Sequence, residues 1–400
     1  MKILIPNATS PKNIGDQAML SSLVELIRTS LPNAIIRIHS VDPMLQKHLL
    51  KNVEIDSSLL SWLMFEKPTF INRAARSILA TIGVLFPMLI TNRKLKIILR
   101  DYKKSDCIVF VGNGYLRCTK SPTQSILLLL YLVPFMLAKF NRKPIIVGPI
   151  SFGPFAYKCQ ETLTARVLSD ISPLFIREDI SLKLAQKHKL AQAQIASDLA
   201  LLLPKESQPK LHAQYVGVSI RNWYAKPAQL RFENEIIDAL IQFSKLTNIP
   251  IKLFVQVHAP EHGDRDLMVA TRLHTALTRA GISVEKPYVF TTYKETIGQI
   301  QTCIMIMGMR MHANILAATQ HIPFVAIAYE HKTMGIAQTL GMRPYCIWAH
   351  DVTTEKLLGV LHTVHTNHKQ IQSELTEKLI KIQETNTLLW KNELTKFRSH

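Results

Sequence analysis

Two arginines and a histidine carry the sharpest chemical signal in the chain. Arg310 and His312 stand two apart in Gly308-Met309-Arg310-Met311-His312-Ala313, directly after an apolar run and at the start of a helical pattern. Arg221 closes Gly217-Val218-Ser219-Ile220-Arg221, at the mouth of another apolar run. A guanidinium grips an oxyanion through two parallel hydrogen bonds, and a helix N-terminus adds N–H groups and partial positive charge. The set therefore predicts a pocket for a carboxylate or a phosphate. Histidine is a residue type that is able to act as acid or base near neutral pH. Tyr329-Glu330-His331-Lys332 follows the next apolar run and adds polar and cationic groups to the same rim, although Lys332 also reads as a solvated surface charge.

The first half offers softer signals, each with a structural alternative. In Asn13-Ile14-Gly15-Asp16-Gln17-Ala18 a single glycine precedes a helix start. Either Gly15 makes the turn and Asp16 caps the helix, or the helix end and Asp16 form a polar ceiling over a sugar. Gly112-Asn113-Gly114 is a turn, or a place where absent side chains bare backbone N–H groups to a ligand. Gly148-Pro149 and Gly153-Pro154 read as turns. Arg177 is followed by Glu178 and Asp179, the pattern of an ion pair at a helix start. Asp198 is a cap or a carboxylate open to a cleft. The stretch from His258 to Asp266 concentrates metal-ligand residue types, yet it lacks HExxH, and Pro260 prevents one helix from carrying both His258 and His262. A loop with Asp264 as a helix cap is expected there, and no metal.

The elements that must position these residues alternate throughout. Strands are predicted at 2–6, 34–39, 107–112, 144–150, 174–177 and 194–197, then at 215–220, 251–257, 284–290, 303–308, 324–328 and 345–348, with helical periodicity between them, as at 233–243 and 295–301. Apolar strands alternating with helices imply parallel sheets covered on both faces. A Pro-containing stretch near 204–210 divides the pattern into two doubly wound α/β domains, 1–205 and 211–366, facing each other across a cleft. Residues 367–400 carry Ile371, Leu375, Leu379, Ile382, Leu389 and Phe397 at helical spacing, which predicts a long amphipathic helix. In open parallel sheets ligands bind beyond the carboxyl ends of the strands, where the residues singled out above are found.

Composition narrows the partners. The 400 residues hold 48 Lys+Arg against 29 Asp+Glu, a net charge of +19, which asks for an anionic partner: nucleic acid, a membrane surface or a phosphate-bearing substrate. Aromatics are 7%, and no basic tail is interleaved with them, which argues against a nucleic-acid binder. Cys107, Cys118, Cys159, Cys303 and Cys346 are scattered and odd in number, against a disulfide framework or zinc ribbon and in keeping with a reducing compartment. The opening Met1-Lys2-Ile3-Leu4-Ile5-Pro6 reads as a strand and lacks the zones of a signal peptide, so the cytoplasm is expected. Residues 78–90 and 126–138 are almost wholly apolar, but as helices each spans about 20 Å, short of a bilayer core of about 30 Å. The second, which precedes a strand, reads as a core helix. The first lies in an insertion, 59–100, that also holds Trp62, Phe65, Phe70 and Phe86, rimmed by Arg73, Arg76, Arg93, Lys94, Lys96 and Arg100. Such a segment is expected to lie on an anionic membrane surface.

Taken in order, Asn13-x-Gly15-Asp16-x-Ala18, Gly112-x-Gly114, Gly148-Pro149, Arg177-x-x-x-Ser181, Asp198, Gly217-Val218-Ser219-Ile220-Arg221, Arg310-x-His312-Ala313, Ile322 to Tyr329-x-x-Lys332 and Leu340-Gly341 resemble the polysaccharide pyruvyl transferase family. The resemblance runs from about Met1 to Trp348 and is most specific between Arg310 and Lys332. It implies a GT-B-like pair of Rossmann-like domains, phosphoenolpyruvate as donor, and as acceptor a sugar of a bacterial surface polysaccharide or its lipid-linked precursor. Under it the second domain binds the donor through Arg221, Arg310, His312, Lys332 and Tyr329. The first binds the acceptor through Gly15, Asp16, Asn113, Gly114 and Arg177. His312 becomes the general acid, and Asp16 or Asp198 the base. No cofactor or metal is needed, since arginines neutralise the phosphate. The family's glycine-rich triplet after the third strand here reads Gly112-Asn113-Gly114, a departure that touches the acceptor pocket. Two other readings of the same fold are a glycosyltransferase using a nucleotide sugar, with Glu330 on the ribose, and a non-catalytic sugar- or phosphate-binding relative.

Overall fold

Short, β-branched and apolar runs such as Cys-Ile-Val-Phe at 107–110 are buried on both faces, so they need helices above and below them, and the chain supplies these by alternation. The computed structural model describes residues 1–64, 92–206, 214–257 and 266–399. In chain order the elements are β1 (Lys2–Ala8), α1 (Ile14–Ser30), β2 (Ile35–Ser40), α2 (Pro43–Leu49), β3 (Glu54–Ser57), α3 (Leu59–Met64), α4 (Arg93–Lys104), β4 (Cys107–Phe110), α5 (Pro122–Phe140), β5 (Ile145–Ile150), α6 (Lys158–Leu168), β6 (Leu174–Ile176), α7 (Asp179–Lys187) and β7 (Ala193–Ile195). They continue with β8 (Tyr215–Ser219), α8 (Ala228–Thr247), β9 (Ile251–Val255), α9 (Asp266–Arg279), β10 (Tyr288–Val289), α10 (Tyr293–Ile300), β11 (Cys303–Gly308), α11 (Met311–Thr319), β12 (Phe324–Ala328), α12 (His331–Thr339), β13 (Cys346–Trp348), α13 (Thr354–Thr366) and α14 (His368–Thr395).

The strands form two wholly parallel sheets, ordered β3-β2-β1-β4-β5-β6-β7 and β10-β9-β8-β11-β12-β13. Each order reverses after its first strand, between β1 and β4 and between β8 and β11, as in doubly wound Rossmann-like sheets. The chain divides into two compact units: Met1–Pro11, Met19–Leu199 and Asn386–His400 form one, and Lys12–Ala18 with Ala200–Thr385 the other. Neither α1 nor α14 lies within a single unit. The terminal helix is thus not a separate third body: Ile371, Leu375 and Leu379 are buried in the second unit, Trp390 and Leu394 in the first.

The strand pattern differs from its sequence reading at two edges. β3 was not legible, because Glu-Ile-Asp-Ser offers one buried apolar residue, Ile55. The stretch 284–290 contains only the two-residue β10, with Val284 making a single bridge to Ile251. Of the apolar and basic insertion, residues 65–91 lie outside the described residues, and with them Phe65, Phe70, Phe86, Arg73, Arg76 and the run 78–90. Trp62, expected at a membrane, is instead a core residue: with Leu59 and Leu63 it packs in the cluster that holds Leu95, Ile98, Tyr102 and Phe135. Arg93, Lys94, Lys96 and Arg100 are exposed on α4, whose inner face is fixed by Asp101 bonding Arg37 at 3.0 Å and His39 at 3.1 Å.

The predicted core helix at 126–138 is α5, longer at both ends. By length and composition it could cross a membrane, yet Leu128, Leu130, Leu132, Phe135 and Leu137 are buried, with Phe135 stacked on Phe110 at 4.0 Å. Its opposite face leaves Leu129, Met136 and Phe140 exposed.

Candidate functional site

In the second unit, β8, β11 and β12 are neighbours and parallel, so their carboxyl ends open at one edge. Gly308 is level with Ser219 on one side and Ala326 on the other. Arg221 and Arg310 therefore leave the sheet at equal height, two residues beyond Ser219 and Gly308, on the two strands that flank the reversal of strand order. Tyr329 follows directly after β12. The sequence residues Arg221, Arg310, His312, Tyr329 and Lys332 are all brought to this one edge.

Each is held by specific contacts. Arg221 Nη1 donates to the Tyr329 hydroxyl at 3.1 Å, and its guanidinium carbon lies 4.9 Å from the centre of the Tyr329 ring. Lys332, in the first turn of α12, pairs with Glu330 at 2.7 Å and stands 6.0 Å from the same ring. Arg310 donates through Nε and Nη2 to Asp266 at 2.9 and 2.8 Å. Asp266 is 1% exposed at the start of α9, and it fixes the plane of the guanidinium. Residues 258–265, which include His258, His262 and Asp264, lie outside the described residues, so from the stretch read for metal ligands only Asp266 is seen, and it serves Arg310. Sequence reasoning missed this pairing; an acid at the start of the preceding helix was its only trace.

Tyr329 reports the electrostatics of the pocket. Burial pushes its phenol up, but Lys332, Arg221 and Arg310 outweigh burial and hold it below the ordinary tyrosine value, against a smaller opposing effect of Glu330. A site where positive potential overrides desolvation is prepared for an anion.

His312 is the second residue of α11, with Arg310 at the N-cap. Its ring packs against Gly15: a methyl group built on Gly15 would overlap the imidazole. Lys12–Ala18 belongs to this unit, attached by Ile14 N–H to Gln256 O (3.2 Å), Gln17 Nε2 to Thr291 O (2.8 Å) and Tyr293 N–H to Gln17 Oε1 (3.1 Å), with a bridge from Asn13 to Val257. Gly15 is thus required by close packing on the histidine, and Asp16 follows it in the same segment, half-buried.

The corresponding edge of the first unit is built differently. Asn7, beyond the middle of β1, closes the reversal point by donating to Val111 O (2.8 Å) and Tyr115 Oη (2.6 Å) and accepting from Val111 N–H (2.8 Å). A methyl group on Gly112 would strike the Pro149 backbone, and one on Gly148 would strike Gly112, so these glycines permit two strand ends to touch. At Gly112 the structural alternative is the one seen, a missing side chain that admits the neighbouring strand end. Asn113 is buried and accepts from Tyr115 N–H at 3.0 Å, with Gly114 half-buried beside it. Arg177 donates to Asp198 at 2.8 Å and to Ser151 Oγ at 2.6 Å, with Glu178 3.4 Å away. The side chains of Arg177 and Asp198 are 2% and 0% exposed. As placed, they tie the ends of β5 and β6 to the segment after β7, and present neither a base nor an anion receptor at the surface.

No cysteine competes for the chemistry near neutrality among the buried thiols whose shifts are resolved: burial pushes Cys107 and Cys303 up to about 12 and Cys346 up to about 11.

The structure is similar to that of the Anabaena protein HepE solved with UDP and glucose (TM-score 0.57, 10% identity, 100% of this chain and 99% of that one). It is similar also to a glycosyltransferase from Rickettsia africae (TM-score 0.57, 12% identity, 98% of each chain) and to UDP-GlcNAc 2-epimerase from Methanocaldococcus jannaschii (TM-score 0.56, 11% identity, 90% and 92%). At such identities the likeness establishes the fold, two Rossmann-like units of the GT-B class. In sequence, the amylovoran biosynthesis protein AmsJ of Erwinia amylovora is 22% identical over 411 residues, covering 94% of each chain. The profile of the family described as polysaccharide pyruvyl transferase matches residues 13–331, a span that contains Gly15, Asp16, Arg221, Arg310, His312 and Tyr329 and ends one residue before Lys332, and the chain belongs to that family.

Proposed function

We propose that the chain transfers the pyruvyl group of phosphoenolpyruvate to a sugar of a bacterial surface polysaccharide or its lipid-linked precursor. The observation that carries this reading is the cluster of Arg221, Arg310 and Lys332 around Tyr329, whose phenol is held low by their charge. Phosphoenolpyruvate bears a phosphate and a carboxylate on adjacent atoms and asks for several fixed cations close together. Neighbouring solved structures with nucleotide ligands support the fold, while Glu330, the residue a nucleotide ribose would require, is engaged by Lys332.

In the reaction, two sugar hydroxyls form bonds to the central carbon of the donor, the methylene carbon gains a proton to become methyl, and the C–O bond to phosphate breaks. One hydroxyl proton replaces that delivered to carbon, and the other leaves with phosphate, so the products are a pyruvate ketal and inorganic phosphate. His312 is the acid in this scheme, and Asp16, carried by the segment that packs on it, is the base. Arg221 and Arg310 orient the donor and neutralise the departing phosphate without a cofactor. The test is incubation with phosphoenolpyruvate and undecorated surface polysaccharide or its lipid-linked repeat. Equimolar phosphate release and a new ketal methyl signal in the NMR spectrum are expected. Turnover of a nucleotide sugar in its place would overturn the reading in favour of a glycosyltransferase.

Net charge and an exposed apolar stripe support a place of action at a membrane surface. With a net charge of +19 and the exposed stripe Leu129, Met136 and Phe140 on α5, the protein is suited to the anionic inner face of the cell membrane. Sedimentation with anionic vesicles that weakens as salt rises is the expected behaviour, and protein remaining in the supernatant at low salt contradicts it.

A further inference from the structure

Beside the cation cluster lies an aromatic side chain for which the donor chemistry has no use. Trp223 is 40% exposed in the loop after β8, yet its backbone is tightly held. The N–H groups of Trp223 and Tyr224 both donate to Gln229 Oε1 at 2.9 Å. Gln229 is 2% exposed, and its Nε2 donates to Glu233 at 2.8 Å. Arg272 in turn clamps Glu233 through two hydrogen bonds of 2.7 and 2.5 Å. Tyr224 packs edge-on against Phe232 at 5.5 Å. A buried polar network thus immobilises a loop whose most prominent feature is a large apolar ring left partly in water.

The position of that ring identifies what it is for. Its centre is 4.6 Å from the Tyr329 ring at 44°, and the Arg221 guanidinium carbon is 5.5 Å from it, so it adjoins two residues of the anion pocket directly. We infer that Trp223 is the platform on which the acceptor pyranose lies during transfer. This rests on the pyruvyl-transfer reading. An attacking hydroxyl must come within about 3–3.5 Å of the donor carbon, so the acceptor ring has to sit directly beside the donor anchors. A ring stacked on Trp223 meets that requirement. The C–H face of a pyranose matches an indole face, and its equatorial hydroxyls remain free to point at the donor. The base of a nucleotide sugar does not meet it, because a ribose and two phosphates separate the base from the reacting carbon. Trp223, in contact with Tyr329, stands too near the anion pocket for that role. The rigidity of the loop suits a platform, since a ring already fixed in place loses little freedom when a sugar covers it.

The experiment uses the full chain, wild type and Trp223→Phe, titrated with methyl β-D-glucopyranoside, methyl β-D-galactopyranoside and methyl α-D-mannopyranoside in the presence of phosphoenolpyruvate. Tryptophan fluorescence is read, and donor affinity is measured by calorimetry on the same samples. Trp62 and Trp390 are buried, and Trp348 is half-buried against His331 and unchanged in the variant, so a sugar-dependent change belongs to Trp223 only where Trp223→Phe abolishes it. At least one glycoside is expected to produce that change. Trp223→Ala is expected to raise the acceptor KM at least tenfold while donor affinity stays within twofold, with Trp223→Phe between the two. Donor binding accompanied by no glycoside response, or by a response that persists in Trp223→Phe, overturns the platform and leaves pyruvyl transfer intact. A glycoside response without donor binding overturns the donor reading and leaves the platform. Quenching of Trp223 by UDP but by no glycoside overturns the assignment to a sugar.

Discussion

The two sheets share a plan, and their carboxyl edges do opposite things with it. Each edge carries an arginine beyond a strand and a glycine whose missing side chain admits a neighbour, the Pro149 backbone at Gly112 and Asn314 at Gly308. In the first unit Asn7 closes the reversal point, and Arg177 is consumed by Asp198 and Ser151 with 2% of its side chain exposed. In the second, Arg221 and Arg310 flank the reversal point half-buried, and their charge reaches Tyr329. A strand-end arginine is therefore no sign of a ligand by itself. A buried guanidinium must find its anion within the protein, as Arg177 does in Asp198; Arg310 does so in part, through Nε and Nη2 to Asp266, and with the half-buried Arg221 it still contributes a positive potential that suits an anion from outside.

The sharpest way to break this contrast is to remove one arginine from each edge. Arg177→Ala leaves Asp198 as an uncompensated buried charge, and a loss of about 3–5 kcal/mol in unfolding free energy is expected. Arg221→Ala relieves repulsion within a cationic cluster and should change stability by less than about 1 kcal/mol. Denaturant titration of both variants decides. Equal losses would mean that Arg221 is structural too.

Next in size is the effect on turnover at the second edge. His312→Gln is expected to lower kcat by about 10²–10⁴-fold with donor affinity nearly unchanged. Gly15→Ala, which drives a methyl group into the imidazole, should lower kcat by about 10²-fold through displacement alone. Wild-type phosphate release from either variant with saturating acceptor would return His312 to a structural role.

The smallest expected effect is also the most local. The Tyr329 phenol is held below its ordinary value, so its folded form releases a proton at lower pH than an unfolded tyrosine does. The stability this confers is present above the unfolded value and is lost as pH falls through the folded one. Replacing Lys332 or Arg221 by Met removes part of the positive potential and should move the Tyr329 titration upward. Ultraviolet difference titration against Tyr329→Phe reads that shift directly, and an unmoved titration would mean the cluster exerts no field at the phenol.

Much of this was legible in the sequence for physical reasons. β11 and β12 are buried on both faces and read as unbroken apolar runs, so their ends, and with them Arg310 and Tyr329, were placed by pattern alone. Gly15 and His312 were each visible, but their contact was not, since they stand 297 positions apart in the chain and only packing joins them. Asp266 and Trp223 were missed for the same reason: one is distinguished by the guanidinium it meets, the other by exposure beside Tyr329, and neither property is local. Arg177 and Arg221 had similar local signatures. What separates them is burial, which is decided by the whole fold.

The proposed function requires the edge formed by β8, β11 and β12 to be the donor site. Calorimetric titration of phosphoenolpyruvate into wild type, Arg221→Ala and Arg310→Ala tests it most directly. Loss of a charge-assisted contact of about 1.5–3 kcal/mol predicts that each variant binds roughly ten- to hundredfold more weakly; Arg310→Ala also strips the buried Asp266 of its guanidinium, so it is destabilised and is titrated at a temperature where circular dichroism shows it folded. Affinity unchanged from wild type in both folded variants would contradict the account.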